Sequence, residues 1–422
     1  MKRKASKLKN SSVFLVILAI LSLAFLPMLI WHTQESSLLN IWILDNTVPD
    51  LTYREHRGLM WTLNHFKVTP LNTRYFRYDR DYYGFFPRID KTYSIKDLIY
   101  APDYPDMIYL ADSYGVYQQE FMEKKPRGDR SPLIYGGLSP IDMFRVREFL
   151  RNGTLVIGEF NTFATPTSLE IRHQLEEILG VRWKEWMGRY FQDLKRDKEV
   201  TRWMVRNYEA QYKRPWNFEG PGYVLTSNWD EIVVLEAGID VGNDECRFIV
   251  RNEHVEEFKM AKVIPYYYWF DFVQPMEGTE IIADFYLDLT DKGKAKLAAI
   301  GLSDVFPAIM RHQHQDYQSY YLSGDFADHT AVPRWWNYSG LSSVRKTMAM
   351  HIKGEANAFF WRGYTPFMKK ILTDLRKDPG VEKRKAIARK AVSYVDQGIS
   401  LISKTDQKTI SHYHQNEWKR LF

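Results

Sequence analysis

The 422-residue chain has one cysteine, Cys246. That excludes an internal disulfide, CxxC redox chemistry and metal sites built on several cysteines. A lone thiol of this kind is most often a small buried side chain. Long apolar runs are equally scarce. After "VFLVILAILSLAFLPMLIW" (13–31) no window reaches 18 apolar residues, and "VIPYYYWFDFV" (263–273) is short and carries Asp271. A positive excess is missing from most of the chain despite a net +6. Residues 1–11 carry five basic side chains (Lys2, Arg3, Lys4, Lys7, Lys9) and no acid. Residues 366–422 carry 13 Lys or Arg against 6 Asp or Glu, which leaves −6 for 12–365. A mildly acidic body between basic ends argues against a nucleic-acid-binding face on the main domain. The glycine-rich "YGGLS" lacks the Lys-Ser/Thr of a P-loop, though its amides could face an anion at a helix start. There is no internal repeat and no low-complexity tract.

What is present is a large apolar fraction, 45%, and many aromatic residues, 15%, with 13 Trp and 27 Tyr. Such rings serve core packing and sugar stacking alike. The charge-free run 13–31 is long enough to cross a bilayer as a helix. A basic segment precedes it, Trp31 stands where an interfacial aromatic is expected, and no A-x-A-like cleavage pair follows. The sequence therefore predicts a cytoplasmic basic segment over 1–11 and a transmembrane signal-anchor over 12–32. It also predicts a single-pass protein in the cell membrane whose main domain, 39–372, is extracytoplasmic. A basic helical tail, 373–422, follows. Within it "DPGVEKRKAIARKAVSYVDQGISLISK" (378–404) has amphipathic spacing suited to domain packing or to an anionic surface.

From residue 38 strands alternate with helices. "LLNIWILDN" (38–46) reads as a strand ending at Asp45 and Asn46, and "LTYREHRGLMWTLNHF" (51–66) as an amphipathic helix in its second half. "DMIYLAD" (106–112) is a strand with an acidic tip. "SPIDMFRVREFLRNG" (139–153) has the Ser, Pro and Gly signals of a helix start and stop. "TLVIGEF" (154–160) is a strand, and "SLEIRHQLEEILG" (168–180) a helix capped by Gly180. Strands separated by such helices imply a parallel sheet with crossovers. Residues 182–220 read as a helix or an irregular insertion. Strand-like "GYVLTSNWDEIVVLE" (222–236), "CRFIVRN" (246–252), "TEIIADFYLDL" (279–289) and "SYYLSGDFAD" (319–328) follow.

The succession "DMIYLAD", "YGGLSPIDMFRVREFLRNGTLVIGEFNTF" and "YYLSGDFAD" resembles the class I glutamine amidotransferase-like superfamily. The likeness is to the branch of ThuA-like domains and of the trimerisation domain of certain beta-galactosidases, and it covers roughly residues 39–330. It implies an α/β fold: a flavodoxin-like, mostly parallel sheet with helices on both faces, preceded by the transmembrane helix and followed by the basic C-terminal helix. In the amidotransferases such a strand leads to a nucleophilic cysteine in a G-x-C-x-G turn. Here the turn reads Gly158-Glu159-Phe160-Asn161-Thr162, with a phenyl ring in place of the thiol, which can neither attack nor be activated. The partner His-x-Glu is missing near "SGDFAD", and Cys246 lies on another element. The resemblance therefore implies the fold without amidotransferase activity.

Other chemistry has partial support. "ADSYG" (111–115) matches a nucleophile elbow with Ser113, for which Asp325 and His329 are candidate partners. "RHQHQDY" (311–317) sets His312 and His314 two apart beside Asp316 without identifiable further ligands, so no metal or cofactor is expected. Asp45, Asp112, Glu159, Asp325 and Asp328 all fall at or just after strand ends. Acids there either cap helices and hold loops or pair for glycoside cleavage. "IPYYYWFDF" (264–272) and "PRWWNYSG" (333–340), the latter with Trp335 and Trp336, concentrate rings beside polar groups, as a buried strand and a packed loop do and as rings that stack on sugars do. Two readings follow. One is a membrane-anchored binding or scaffold protein acting in envelope or exopolysaccharide processes, with Asp45, Asn161, Thr162, Asp328, Trp335 and Trp336 at its ligand site and a polysaccharide or envelope protein as partner. The other is a surface glycan hydrolase using Glu159, Asp112 and Asp325.

Overall fold

The computed structural model describes residues 22, 25–71, 75–102, 104–123, 128–242, 245–328, 337–349 and 357–382. Its two larger sheets contain the strands β1 (Ile41–Asp45), β2 (Tyr83–Pro87), β3 (Tyr93–Lys96), β4 (Met107–Asp112), β5 (Leu155–Gly158), β6 (Val181–Phe191) and β7 (Gly222–Ser227), then β8 (Ile232–Glu236), β9 (Arg247–Val250), β10 (Val263–Pro265), β11 (Phe270–Pro275), β12 (Thr279–Tyr286), β13 (Val305–Gln313) and β14 (Gln318–Leu322). Ten of these form one sheet in the order β10-β9-β12-β13-β14-β5-β4-β1-β2-β3, and four form a second in the order β8-β7-β6-β11.

The central strands alternate strictly between two cores, as the two-residue period of a strand requires. Ile41, Ile43, Met107, Tyr109, Leu155 and Ile157 face one side. There they meet Leu59, Met60 and Leu63 of helix α1 (Arg54–His65) and Phe367, Met368 and Ile371 of the helix Thr365–Lys377. Trp42, Leu44, Ile108, Leu110 and Val156 face the other side, against helix α2 (Pro140–Leu150) and helix α3 (Leu169–Leu179). Each such aliphatic side chain contributes about 1.5–3 kcal/mol when fully buried. The helix ends follow their sequence signals. Ser139 and Asp142 form a capping box with Pro140 in the first turn of α2, and Gly180 ends α3 at φ +68°. Helix α4 (Arg202–Tyr212) seals the outer face of the four-stranded sheet through Met204 and Tyr208.

The expected mostly parallel sheet is corrected to a mixed one. Only β14, β5, β4, β1 and β2 run parallel; the five remaining pairings of the ten-stranded sheet are antiparallel. Helices still lie between strands after residue 180, but Asn252–Phe258 and Asp291–Ala299 each join strands that pair antiparallel, and the short turn from Gln313 to Gln318 can join only antiparallel neighbours. Residues 182–220 also differ from expectation. They supply β6, which pairs with both β7 and β11, and α4. The alternation Val181-Arg182-Trp183-Lys184, buried and exposed in turn, is the strand's period.

The membrane anchor is corrected as well. Among the described residues no helix is long and apolar enough to cross a membrane. The end of the expected anchor, 25–33, is helical and docked on the domain. The Trp31 indole donates to the His65 carbonyl at 2.8 Å, Lys67 lies 4.0 Å over its ring, and the Pro27 carbonyl accepts from Ser339 N. Nothing in the structure supports membrane attachment through the N-terminal helix, a single-pass topology or an extracytoplasmic placement. Residues 1–21 lie outside the described residues, as do 383–422, which contain most of the expected basic tail.

Candidate functional site

In sequence order the five parallel strands β1, β2, β4, β5 and β14 lie as 2-1-3-4-5, so the order reverses between β1 and β4. Crevices outside the carboxyl ends of strands at such a reversal are where ligands bind in open α/β sheets. A cavity of about 730 Å³ opens there, lined by the segments after β1, β4, β5 and β14 and walled by the second sheet. Its polar lining includes Thr47, Glu55, Asp112, Asn161, Asn228 and Asp325, and its rings include Tyr53, Tyr114, Phe160, Trp203 and Trp269.

Seven of the acids at or near this cavity fall into two sets. The first is held by protein donors. Asp112 Oδ1 accepts from Thr47 Oγ1 at 2.5 Å and Tyr114 N at 2.6 Å, and its Oδ2 from Asn161 Nδ2 at 3.2 Å. Burial pushes its carboxyl up to about 7 against those bonds. Asp271, fully buried on β11, accepts from Tyr321 Oη at 2.5 Å, Trp183 Nε1 at 3.1 Å and Asn161 N at 3.3 Å, and burial raises it to about 7. Glu159 takes Tyr109 Oη at 2.6 Å on one oxygen, and Ala327 N at 2.6 Å together with Phe326 N on the other. Tyr364 extends that chain through Tyr109 at 3.1 Å. Burial lifts Glu159 to about 8. Asp45 holds His56 Nδ1 at 2.5 Å and Thr47 N at 2.9 Å, and His56 Nε2 donates to the Tyr78 carbonyl at 2.8 Å.

The second set meets the cavity through Glu55 and Asp325. Glu55, Asp325 and Asp328 place carboxylate oxygens within 4.8 Å of one another. One guanidinium, Arg54, serves two of them, 2.9 Å from Glu55 and 3.2 Å from Asp328. Asp325 makes no side-chain hydrogen bond among the described residues. Its carboxyl is raised well above the usual range by burial first, then by Asp328 and Glu55. Glu55 is raised for the same first reason. The trio depends on a close backbone approach. Gly58 N of α1 donates to the Ala327 carbonyl at 3.1 Å, and a Cβ on Gly58 would lie 2.4 Å from that oxygen. Glu55 in the first turn also sits where the helix dipole favours negative charge.

Of the residues expected at a site, Asp112, Asn161 and Asp325 line the cavity. Asp328 joins the wall cluster. Glu159, Asp45 and Thr162 are buried and bonded to protein groups, Thr162 through its hydroxyl to the Glu159 carbonyl. Trp335, Trp336 and His329 lie outside the described residues. Phe160, which occupies the nucleophile position of the amidotransferase pattern, lines the cavity, and Asn161 beside it adopts φ +65°. Cys246 is fully buried, and burial pushes its thiol well up. The Ser113 hydroxyl bonds the carbonyls of Asn161 and Thr162 at 2.9 and 3.1 Å, not a histidine. His312 pairs with Thr279 at 2.9 Å, and His314 stacks on Tyr317. Arg54 and Glu55 were missed as site residues, and the acid in the first turn of α1 was the one signal available for them; Trp269 lies in the aromatic segment 264–272 singled out for stacking, though it was not itself named.

No protein-family model matches the chain, and no curated protein sequence matches it. Among solved structures it is similar to a ThuA-like protein from Parabacteroides merdae, at 12% identity over 68% of this chain and 79% of that one, with a TM-score of 0.33. It is similar to a beta-galactosidase from Bacillus circulans sp. alkalophilus, at 10% identity over 69% of this chain, TM-score 0.29. It is also similar to a carbohydrate deacetylase, at 8% identity over 69% of this chain, TM-score 0.32. The chain spans 30% of the length of each of the last two. Both kinds of protein in the resembled branch thus stand among the similar structures, and at these scores they assign no activity or site residue to this chain.

Proposed function

We propose that the chain is a saccharide-binding protein whose ligand occupies the cavity at the carboxyl ends of the parallel strands. The supporting observation is the composition of that cavity. Flat rings of Trp269, Trp203 and Tyr114 stand beside amide, hydroxyl and carboxylate groups in a volume of about 730 Å³. Ligand pockets of roughly 300–1,000 Å³ with a few convergent polar groups suit small organic ligands. Rings with adjacent polar groups suit sugars in particular, whose C–H faces stack while their hydroxyls bond. Titration calorimetry against neutral and amino-sugar oligosaccharides tests the reading. Saturable binding is expected, weakened at least about tenfold in Trp269→Ala. A folded protein that binds no oligosaccharide would refute it.

A second reading, glycan hydrolysis, is favoured by Asp325, a carboxyl of the cavity wall that makes no side-chain hydrogen bond among the described residues and is raised well above the usual range by burial first, with Asp112 lining the same cavity. General acids are found in such environments. Release of reducing ends by the wild-type chain, abolished in Asp325→Asn, would replace the binding reading with this one.

A further inference from the structure

Among the described residues one tryptophan is exposed. Trp229, in the tight turn between β7 and β8, is 74% exposed, and the residues on either side of it, Asn228 and Asp230, both line the cavity. A ring that open buries little area, so the fold gains little from it. Its indole is held in place all the same. Resting on the saccharide reading above, we infer that Trp229 is an outer stacking platform at the cavity mouth, and that the ligand is a carbohydrate chain long enough to run from the cavity onto this ring.

The support beneath the ring comes from separate segments of the chain. Trp229 Nε1 donates to Glu185 Oε2 at 3.3 Å, and Arg172 holds the other oxygen of Glu185 at 2.6 Å. Arg172 is itself buried on α3. Its Nε donates to the Phe163 carbonyl at 2.9 Å, and its guanidinium lies 4.8 Å over Trp183. Glu185 reaches the indole from a bulge in β6, between Trp183 and Met187, where it adopts φ +61°. Bulges re-aim side chains, and a left-handed glutamate is a strained conformation that persists only where its surroundings enforce it. The turn is also tied to the cavity rim, since Asn228 Oδ1 accepts from Thr165 N at 3.1 Å and Thr165 Oγ1 at 2.8 Å. That leaves the Asn228 Nδ2 donors without a protein partner among the described residues. A flat ring with an amide donor beside it matches a pyranose, which offers a C–H face and hydroxyl acceptors.

The full chain is titrated by calorimetry with cello-oligosaccharides and with chito-oligosaccharides, each from the dimer to the hexamer. In whichever series binds, affinity is expected to rise at least about tenfold from dimer to hexamer. Trp229→Ala should remove most of that rise, and Trp229→Phe, which restores a flat ring, should keep part of it. Thermal melting should be unchanged in both variants, because the ring is exposed. Trp269→Ala, inside the cavity, should instead weaken every length. An affinity that does not depend on length overturns the inference and leaves the saccharide reading intact. So does a rise that survives Trp229→Ala, or a loss of equal size at every length in that variant. If no oligomer of either series binds, the saccharide reading itself falls, and this inference with it.

Discussion

Two groups of acids share one end of the sheet, one fully buried and one partly so, and they differ in what surrounds them. Glu159, Asp271 and Asp112 are each met by three protein donors, so burial raises their carboxyls while hydrogen bonds hold them in place. Glu55, Asp325 and Asp328 are met mainly by one another and by one arginine. The first arrangement ties strand ends to neighbouring segments, Glu159 to Phe326 and Ala327, and Asp112 and Asp271 both to Asn161. The second leaves acceptor capacity facing an open volume. Acidic residues at strand tips therefore do not have one meaning: their donors decide whether they are internal ties or ligand acceptors. A buried polar group that has its bonds contributes to specifying the fold, and one without them is expensive unless something else completes it.

The comparison breaks most decisively at Glu159. Glu159→Leu removes the acceptor of two backbone amides and of the Tyr109 hydroxyl, and a loss of about 3–5 kcal/mol is expected in urea unfolding. Glu159→Gln, which keeps one acceptor, should lose less. An unchanged midpoint for the leucine variant would erase the distinction between the two groups. A pH series sharpens it. An unfolded carboxyl ionises near pH 4, whereas Asp112 and Asp271 hold their protons to about 7 and Glu159 to about 8. The folded state then binds more protons over that interval. Stability should fall as pH rises from about 5 to about 8 and level off above it, a slope that Asp271→Asn makes shallower. Asp325→Asn should act in the opposite sense on the two readouts. Oligosaccharide affinity drops about tenfold, while stability holds or rises by about 0.5 kcal/mol as like-charge repulsion is relieved. The smallest effect belongs to Cys246→Ala: about 1 kcal/mol of lost packing, read by thermal melting, and no change in binding.

Much of this was legible in the chain. Strand tips at Asp45, Asp112 and Glu159, the capped helices at Ser139 and Ser168, and a phenyl ring in place of a nucleophile could all be read from local pattern. The mixed sheet could not, because pairing direction depends on which later strands sit side by side, and connection lengths give it away only once the strands are fixed. Residues 181–191 carried a two-residue alternation, but their Trp and Arg content hid it. Nor could the sequence separate Glu159 from Asp325, which look alike as acids at strand ends. What distinguishes them is tertiary: the Tyr109 hydroxyl and two amides from 167 and 168 residues away reach one and not the other. Glu55 was hidden for the same reason, as its neighbours come from the far end of the domain.

The contact between Gly58 and the Ala327 carbonyl has a consequence for how the wall of the cavity can change. Because main chain meets main chain there, the gap between the first turn of α1 and the 325–328 segment is gauged by the backbone and not by the acids that face across it. Charges on either side can be exchanged one at a time without altering their spacing. A single methyl at position 58 would reset every one of those spacings together.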